Sequence, residues 1–441
     1  MAFVYNIALI GIFVLLVLRM YKDTPYALMP VASIAIVLVW QGVSVAYLET
    51  GAYSPELMLT TYWTGATYRY VLAIVSFLLA YWLVFRLMVS RPWIESHQGN
   101  AQSMNHAERF AAPLIFACLI GILVLLWYAP RGAIDSRSKF LVDNPAFLRN
   151  LLLGYQPYLT LVLGYATGVT SKSRTRMLGY ASLLLMLLVL YLYGNKFSAV
   201  VETFFFFSFP FLALLKFRPI DRELFGWTMR RQAALAGAVL MLAVTAGVLR
   251  QVQYVQNSDA ESAGPGYLAE RVFVLQGGIW WNTDNQAIHG TYQPGLKEFA
   301  DFVRNENYYA DSSLMYLMTR SIGYDLTYKI FMIDDSLFTG TFPSIFYEIG
   351  GKFGPVLFGA LSGILIALAA GYATRKILLG QVLLTIVALG IYLPISAIAS
   401  AAEFTPIASL GLLTKIGIVV CLELYGLMVM FAPPAKPTAE A

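Results

Sequence analysis

The chain is short of charge. Only 12% of its 441 residues are Asp, Glu, Lys or Arg, while 59% are hydrophobic. A soluble domain carries about a quarter charged residues, so that class is excluded. Cysteine is nearly absent. Cys118 and Cys421 each lie in an apolar run and read as buried small hydrophobes, not as a disulfide or a metal site. Histidine occurs only at His97, His106 and His289. There is no HExxH or CxxC spacing, no GxSxG elbow and no Gly-rich phosphate loop ending in Lys, so no metal and no cofactor are expected. The net charge of +5 is modest, and no basic cluster carries the signals of a nucleic-acid fold. No basic residue precedes the first apolar run and the first charge is Arg19, so no cleavable signal peptide is read. No internal repeat is visible, which weighs against transporter folds built from two related halves.

What the chain has is apolar runs of membrane length. A hydrocarbon core of about 30 Å needs about 20 apolar helical residues. Such runs fall near Ala2–Met20, Tyr26–Tyr47, Tyr70–Val89, Phe110–Tyr128, Leu151–Val169, Met177–Tyr193, Ala199–Leu215, Ala233–Leu249, Phe353–Tyr372, Ile377–Ile395 and Ser409–Phe431. The expected fold is all-α and polytopic, with about eleven transmembrane helices and one large external loop with short helices. Phe331–Tyr347 is apolar but interrupted by Asp334, Asp335 and Pro343. It reads as an interfacial or re-entrant segment packed on protein, because exposed non-helical backbone cannot face lipid. The expected units are a first bundle over 1–250, an external loop region over 251–330, a re-entrant segment with the last three spans over 331–432, and a disordered tail over 433–441.

Basic loops set the expected orientation. Arg19–Lys22, Arg86–Arg109, Lys172–Arg176, Lys216–Arg231 and Arg375–Lys376 fall on one side, with the N-terminus periplasmic and the C-terminus cytoplasmic. The Arg250–Lys329 loop is then external, and it holds nine carboxylates. Arg131–Arg149 runs against the trend, with Arg131, Arg137, Lys139 and Arg149 beside Asp135 and Asp143. Two readings stand for it: a hold on an anionic substrate, or local pairing with those two carboxylates.

A long polar loop on an apolar scaffold is where function is expected. Gln251–Gly266 reads as a flexible lead. Tyr267–Gln276 reads as a short helix carrying Glu270 and Arg271, broken by Gly277–Gly278. Trp280, Trp281, Asp284 and His289 follow the break. Pro294–Gly295 precedes an amphipathic helix with Leu296, Phe299 and Val303 on one side. Paired Trp beside polar residues suits sugar stacking or a seat at the headgroup level. His289, the single histidine in this loop, has the side chain suited to proton transfer near neutrality, against the plain reading of a solvated loop residue. Arginine's forked donors match phosphate oxygens, and Arg271, Arg320, Arg250 and Arg137 fall near the outer surface, each also readable as a packing residue. Within the spans, Lys196 either snorkels or holds a diphosphate. Glu202, Lys415 and Glu423 need partners, because an ionisable group there is costly.

Three stretches carry a family resemblance. Gly194–Asn195–Lys196–Phe197–Ser198 sits between two apolar helices. Thr339–Gly340–Thr341–Phe342–Pro343–Ser344 follows the large loop. Tyr347–Glu348 and Gly350–Gly351–Lys352–Phe353–Gly354 then run into a long helix. In these and in its layout the chain resembles the Wzy-type polymerases of oligosaccharide repeat units, which build O-antigen and related polysaccharides. The Arg-x10-Gly loop pattern of some members is missing from Arg131–Arg149, so roles tied to it are not carried over. The resemblance implies a fold like that of the integral-membrane (GT-C-like) glycosyltransferases and a place in the bacterial inner membrane. It implies transfer of a glycan from undecaprenyl diphosphate to the terminal sugar of another lipid-linked repeat. The implied partners are that lipid-linked oligosaccharide, membrane lipid and a chain-length regulator protein. Under it, Arg271 and then Arg320 stabilise the departing diphosphate. His289 is the base, with Glu270 and Asp284 behind it, and Tyr324 and Trp281 contact sugar. An O-antigen ligase or another lipid-linked glycosyltransferase uses nearly the same chemistry, and a polytopic transporter or flippase of lipid-linked oligosaccharide remains as a reading from another class.

Overall fold

The computed structural model describes residues 2–23, 25–54, 57, 59–90, 101–129, 151, 155–193, 197–217, 241, 245, 274–304, 313–328, 342–402, 404, 407 and 409–431. Helix α1 (Ala2–Asp23) and the short α2 (Pro25–Leu28) lead through a 3-10 turn into α3 (Ala32–Leu48). A two-stranded hairpin, β1 (Tyr53–Ser54) with β2 (Leu59–Thr60), joins α3 to α4 (Ala66–Met88). Then come α5 (Ala101–Trp127), α6 (Gln156–Val169), α7 (Ser173–Leu192) and α8 (Phe197–Phe217). The later part holds α9 (Leu275–His289), α10 (Leu296–Val303), α11 (Ser313–Ile322), α12 (Tyr324–Tyr328) and α13 (Tyr347–Gly350). It closes with α14 (Gly354–Leu379), α15 (Val382–Ala401) and α16 (Leu410–Phe431).

Among the described residues, seven helical stretches are long and apolar enough to cross a bilayer. They lie at Phe3–Met20, Met29–Leu48, Ala66–Met88, Met104–Trp127, Ser173–Leu192, Ser344–Leu379 and Val382–Ser400, with a shorter apolar helix at Ala199–Leu214. Their outer faces carry exposed leucines such as Leu15, Leu83, Leu87 and Leu368, as a lipid-facing surface requires. The protein is an all-α, multi-pass membrane protein.

Two expectations are corrected in detail. The loop expected at Arg375–Lys376 lies inside α14, which runs on to Leu379 and stops at Gly380 in the left-handed conformation. The helix keeps both cations because each is satisfied locally. Arg375 Nε donates to Met88 O at 2.6 Å, and Lys376 pairs with Glu423 and lies over the Tyr372 ring. Cys421 is exposed on α16, whereas Cys118 is buried as expected. The run at Ala233–Leu249 lies outside the described residues apart from Met241 and Thr245.

Close helix contacts are made by glycine. Gly359 and Gly363 of α14 face α4, where an added Cβ would lie 3.2 Å from Ala73 O and 2.2 Å from Phe77 O. Gly164 of α6 faces α8 in the same way, 2.1 Å from Phe207 O. In lipid there is no hydrophobic drive between spans, so small residues that let backbones approach supply the association.

The two ends of α4 fix the rest. Glu49 sits beyond the C-terminus of α3, 2% exposed. Its carboxylate accepts from the N–H groups of Thr64, Ala66 and Thr67 at 3.0, 2.7 and 3.1 Å, and from Asn6 of α1 at 2.9 Å. The donors left free at a helix start are thus closed by a carboxylate from a neighbouring element. At the far end, Met88 O is the acceptor for Arg375.

Candidate functional site

The largest departure from expectation is α9. Its sequence, LQGGIWWNTDNQAIH, is polar, and Gly277–Gly278 was expected to break a helix. Instead the helix runs through both glycines. Gly277 lies so close to α3 that a Cβ would sit 2.6 Å from Val45 N. Its N–H donates to Ser44 Oγ at 2.8 Å, and that hydroxyl donates to Val274 O at 3.1 Å. A side chain would hold the two backbones apart, so the glycine that weakens the helix locally is what lets it pack.

Once seated, α9 is buried from Gln276 to Asp284, and its polar groups need partners. Trp280 Nε1 donates to Ala66 O at 3.0 Å and Trp281 Nε1 to Tyr62 O at 3.2 Å. Asn282 and Gln286 both donate to Ser321 O, at 3.0 and 2.8 Å. Each Trp side chain is at most 1% exposed, and losing such a ring to Ala costs about 3–5 kcal/mol.

Two arginine–carboxylate–tyrosine units stand at this end of the bundle. In the first, Asp284 is fully buried and takes Arg69 Nε at 2.8 Å and Nη2 at 2.6 Å. Tyr347 donates its hydroxyl to the same carboxylate. Arg69 Nη2 also reaches Thr64 O at 2.9 Å. In the second, Glu348 is fully buried and accepts from Arg320 Nε at 3.1 Å, from the Gly295 N–H at 2.8 Å and from the Tyr292 hydroxyl. Arg320 Nη2 also donates to Gln293 O at 2.7 Å. The units share a seam, since Tyr347 and Glu348 are consecutive and the Tyr292 and Tyr347 rings meet edge to face at 6.4 Å.

In both units the carboxylate is sealed in and the guanidinium reaches outward, with Arg69 and Arg320 side chains 30% and 27% exposed. Among the described residues neither Nη1 is used in a hydrogen bond. Partial burial disfavours the charged form of Arg320, but the hydrogen bond and charge of Glu348 outweigh it, so its pKa is raised. Burial and then the Glu348 charge push Tyr292 well above the ordinary phenol range, so it stays a neutral donor.

The expected site residues fall into three sets. Asp284 and Arg320 are at the heart of the two units. Trp281 is fully buried, with its ring perpendicular to Tyr62 at 5.5 Å, so no face is open to a sugar. His289 is exposed at the last turn of α9, and Tyr324 is exposed on α12, stacked with Tyr328. Arg137, Lys196, Arg250, Glu270 and Arg271 lie outside the described residues. On α10, Phe299 is buried and Val303 packs against the core as expected, while Leu296 is exposed and Phe302 is buried in its place.

Arg69, Tyr292, Tyr347 and Glu348 were missed as site residues. Arg69 opens an apolar span, where an ionisable group calls for a partner. Glu348 stands inside the Tyr347–Glu348 pair that carries the resemblance. Elsewhere, Lys415 Nζ donates to Gly390 O at 3.2 Å, and Glu423 has its partners in Lys376 and Tyr372.

Among the described residues no group of three or more His, Cys, Asp or Glu is placed to hold a metal. No protein-family model, no curated protein and no solved structure matches this chain.

Proposed function

We propose that the protein is a membrane glycosyltransferase that polymerises oligosaccharide repeats carried on a polyprenyl diphosphate, as in O-antigen-type polysaccharide synthesis. The observation that carries the reading is the Arg320–Glu348–Tyr292 unit. A guanidinium is held rigid by a sealed carboxylate, keeps donor capacity facing out, and stands where spans meet loop helices. A departing diphosphate gains negative charge as its bond to the anomeric carbon breaks. A preorganised donor placed there stabilises that charge most, because it need not reorganise during reaction.

In the reaction the acceptor hydroxyl attacks the anomeric carbon, its proton passes to a base, and polyprenyl diphosphate leaves. Asp284 and Glu348 are both engaged by arginine and tyrosine, which fits a role as fixed counter-ions. His289, exposed nearby in sequence on α9, is the base in this scheme, and Arg271 joins Arg320 on the diphosphate. Tyr324 supports sugar contact from α12. The large loop faces the periplasm and the chain lies in the bacterial inner membrane, with a GT-C-like arrangement of spans.

The test is a gel of surface polysaccharide from cells lacking the chain. A single repeat on the lipid core supports polymerisation. Loss of all repeats points instead to a flippase or ligase. Arg320→Ala at equal expression should cut polymer formation about a hundredfold or more, the usual scale for one lost donor to a developing charge, and Arg320→Lys should restore it only in part.

A further inference from the structure

Among the described residues, the first unit has a feature that the second does not share: a pinned aromatic strap. The stretch Thr61–Gly65 connects β2 to α4. Thr61 donates its N–H to Ala52 O at 2.9 Å and its hydroxyl to Leu48 O. Thr64 is tied to Glu49 through its N–H and hydroxyl, at 3.0 and 3.2 Å. Between these anchors stand Tyr62 and Trp63, 50% and 60% exposed. Tyr62 donates to Asn285 Oδ1 at 3.2 Å and its ring stands perpendicular to that of Trp281 at 5.5 Å, so it is fixed over α9. Gly65, at φ +82°, ends the strap, and a Cβ there would lie 3.2 Å from Arg69 Nη1. The strap therefore wraps the guanidinium and leaves two open rings beside it.

Aromatics at a membrane surface often sit among headgroups. Such a ring needs no protein partner for its hydroxyl. Here the Tyr62 hydroxyl is tied at the surface to the side chain of Asn285 on α9, and the backbone on both sides is hydrogen-bonded. A ring face carries partial negative charge and attracts the C–H face of a pyranose. A guanidinium with an unused Nη1 suits a phosphate oxygen.

We propose that Tyr62, Trp63 and Arg69 form a second glycosyl-phosphate site, distinct from Arg320, which seats the lipid-linked acceptor. The assignment to the acceptor rests on the polymerase reading, in which both substrates carry a sugar on a diphosphate and two such seats are needed. Tyr62 and Trp63 take the sugar ring and Arg69 takes the phosphate. The shared Tyr347–Glu348 seam sets the two seats side by side.

The experiment uses the full chain in nanodiscs of zwitterionic lipid and a farnesyl-diphosphate-linked monosaccharide as the probe, read by calorimetry. The wild type should bind two probe molecules. Trp63→Ala and Tyr62→Ala should weaken one of the two by about tenfold, the scale of one lost ring-face contact, and leave farnesyl diphosphate without sugar unaffected. Arg69→Lys, which keeps a charge opposite Asp284, should weaken both probes at that seat. Unchanged isotherms in the Tyr62 and Trp63 variants overturn the proposal. So does an equal loss on the sugarless probe, or full competition by phosphatidylglycerol, which would make the strap a headgroup contact. These readouts need no turnover. A gel that rejects polymerisation with the seat intact would therefore leave the sugar-phosphate site standing, and only its acceptor role would fall.

Discussion

Removing the Glu348 carboxylate strips one acceptor group from three donors at once. In Glu348→Ala the Tyr292 hydroxyl, the Gly295 N–H and the Arg320 guanidinium lose their partner together. A buried donor left unmet costs about 1–3 kcal/mol, and breaking a buried ion pair about 3–5 kcal/mol. Arg320 is 27% exposed and water can reach it, so its share is discounted for solvent screening. Tyr292 and Gly295 are buried and set a floor of about 2 kcal/mol between them. The expected loss is then about 3–4 kcal/mol, a large fraction of a typical domain's stability. Thermal unfolding in detergent, followed by tryptophan emission, measures it. The double variant Glu348→Ala with Arg320→Ala supplies the control. With no stranded cation, it should lose less than the two single changes added together, by about 0.5–3 kcal/mol. Strict additivity, or a Glu348→Ala midpoint equal to wild type, would refute the account of the unit as one coupled network.

Three further outcomes are expected. Gly277→Val should destabilise by more than about 3 kcal/mol, because the clash is with Val45 backbone at 2.6 Å and no flexible side chain can yield; a midpoint within a degree of wild type would refute the close approach of α9 to α3. Burial raises the Glu49 pKa, but the hydroxyl and N–H donors at the start of α4 outweigh it and the net shift is downward. Its contribution to stability is therefore complete above the unfolded carboxylate value and is lost as pH falls through the lower folded value; Glu49→Gln should flatten the acid limb of a stability–pH curve, and an unchanged limb would count against it. In a background without Cys118 and Cys421, an impermeant thiol reagent on intact spheroplasts should label cysteine at Thr291 and not at Lys172. The reverse pattern would invert the orientation.

The spans were legible because lipid imposes one rule, a helix of about 20 apolar residues, and α1, α4, α5 and α7 follow it. Helix α9 was not legible. Read locally, Gly277–Gly278 is a breaker, and the contact that makes it an asset is with Ser44 and Val45, more than 200 positions earlier in the chain. Arg320 and Asp284 could be singled out as charged groups in the loop. Their partners could not, because Arg69 and Glu348 come from other elements and nothing in residue spacing pairs them. Tyr62 and Trp63 were not singled out, because the residues that hold Tyr62, Asn285 and Trp281, lie more than 200 positions further along the chain.

The seating of α9 also bears on how the chain is assembled. The slot between α3 and the start of α4 is made of segments synthesised early, yet its filling arrives about 230 residues later. Contacts so distant along a chain form late. A nascent bundle ending before residue 275 would display the Ala66 carbonyl without Trp280 and the Arg69 guanidinium without Asp284. It would offer a quality-control protease or a membrane chaperone a polar cleft to recognise. Arrival of the Gly–Gly–Ile–Trp–Trp segment closes that cleft, so the step that completes the fold is the same step that erases the mark of immaturity.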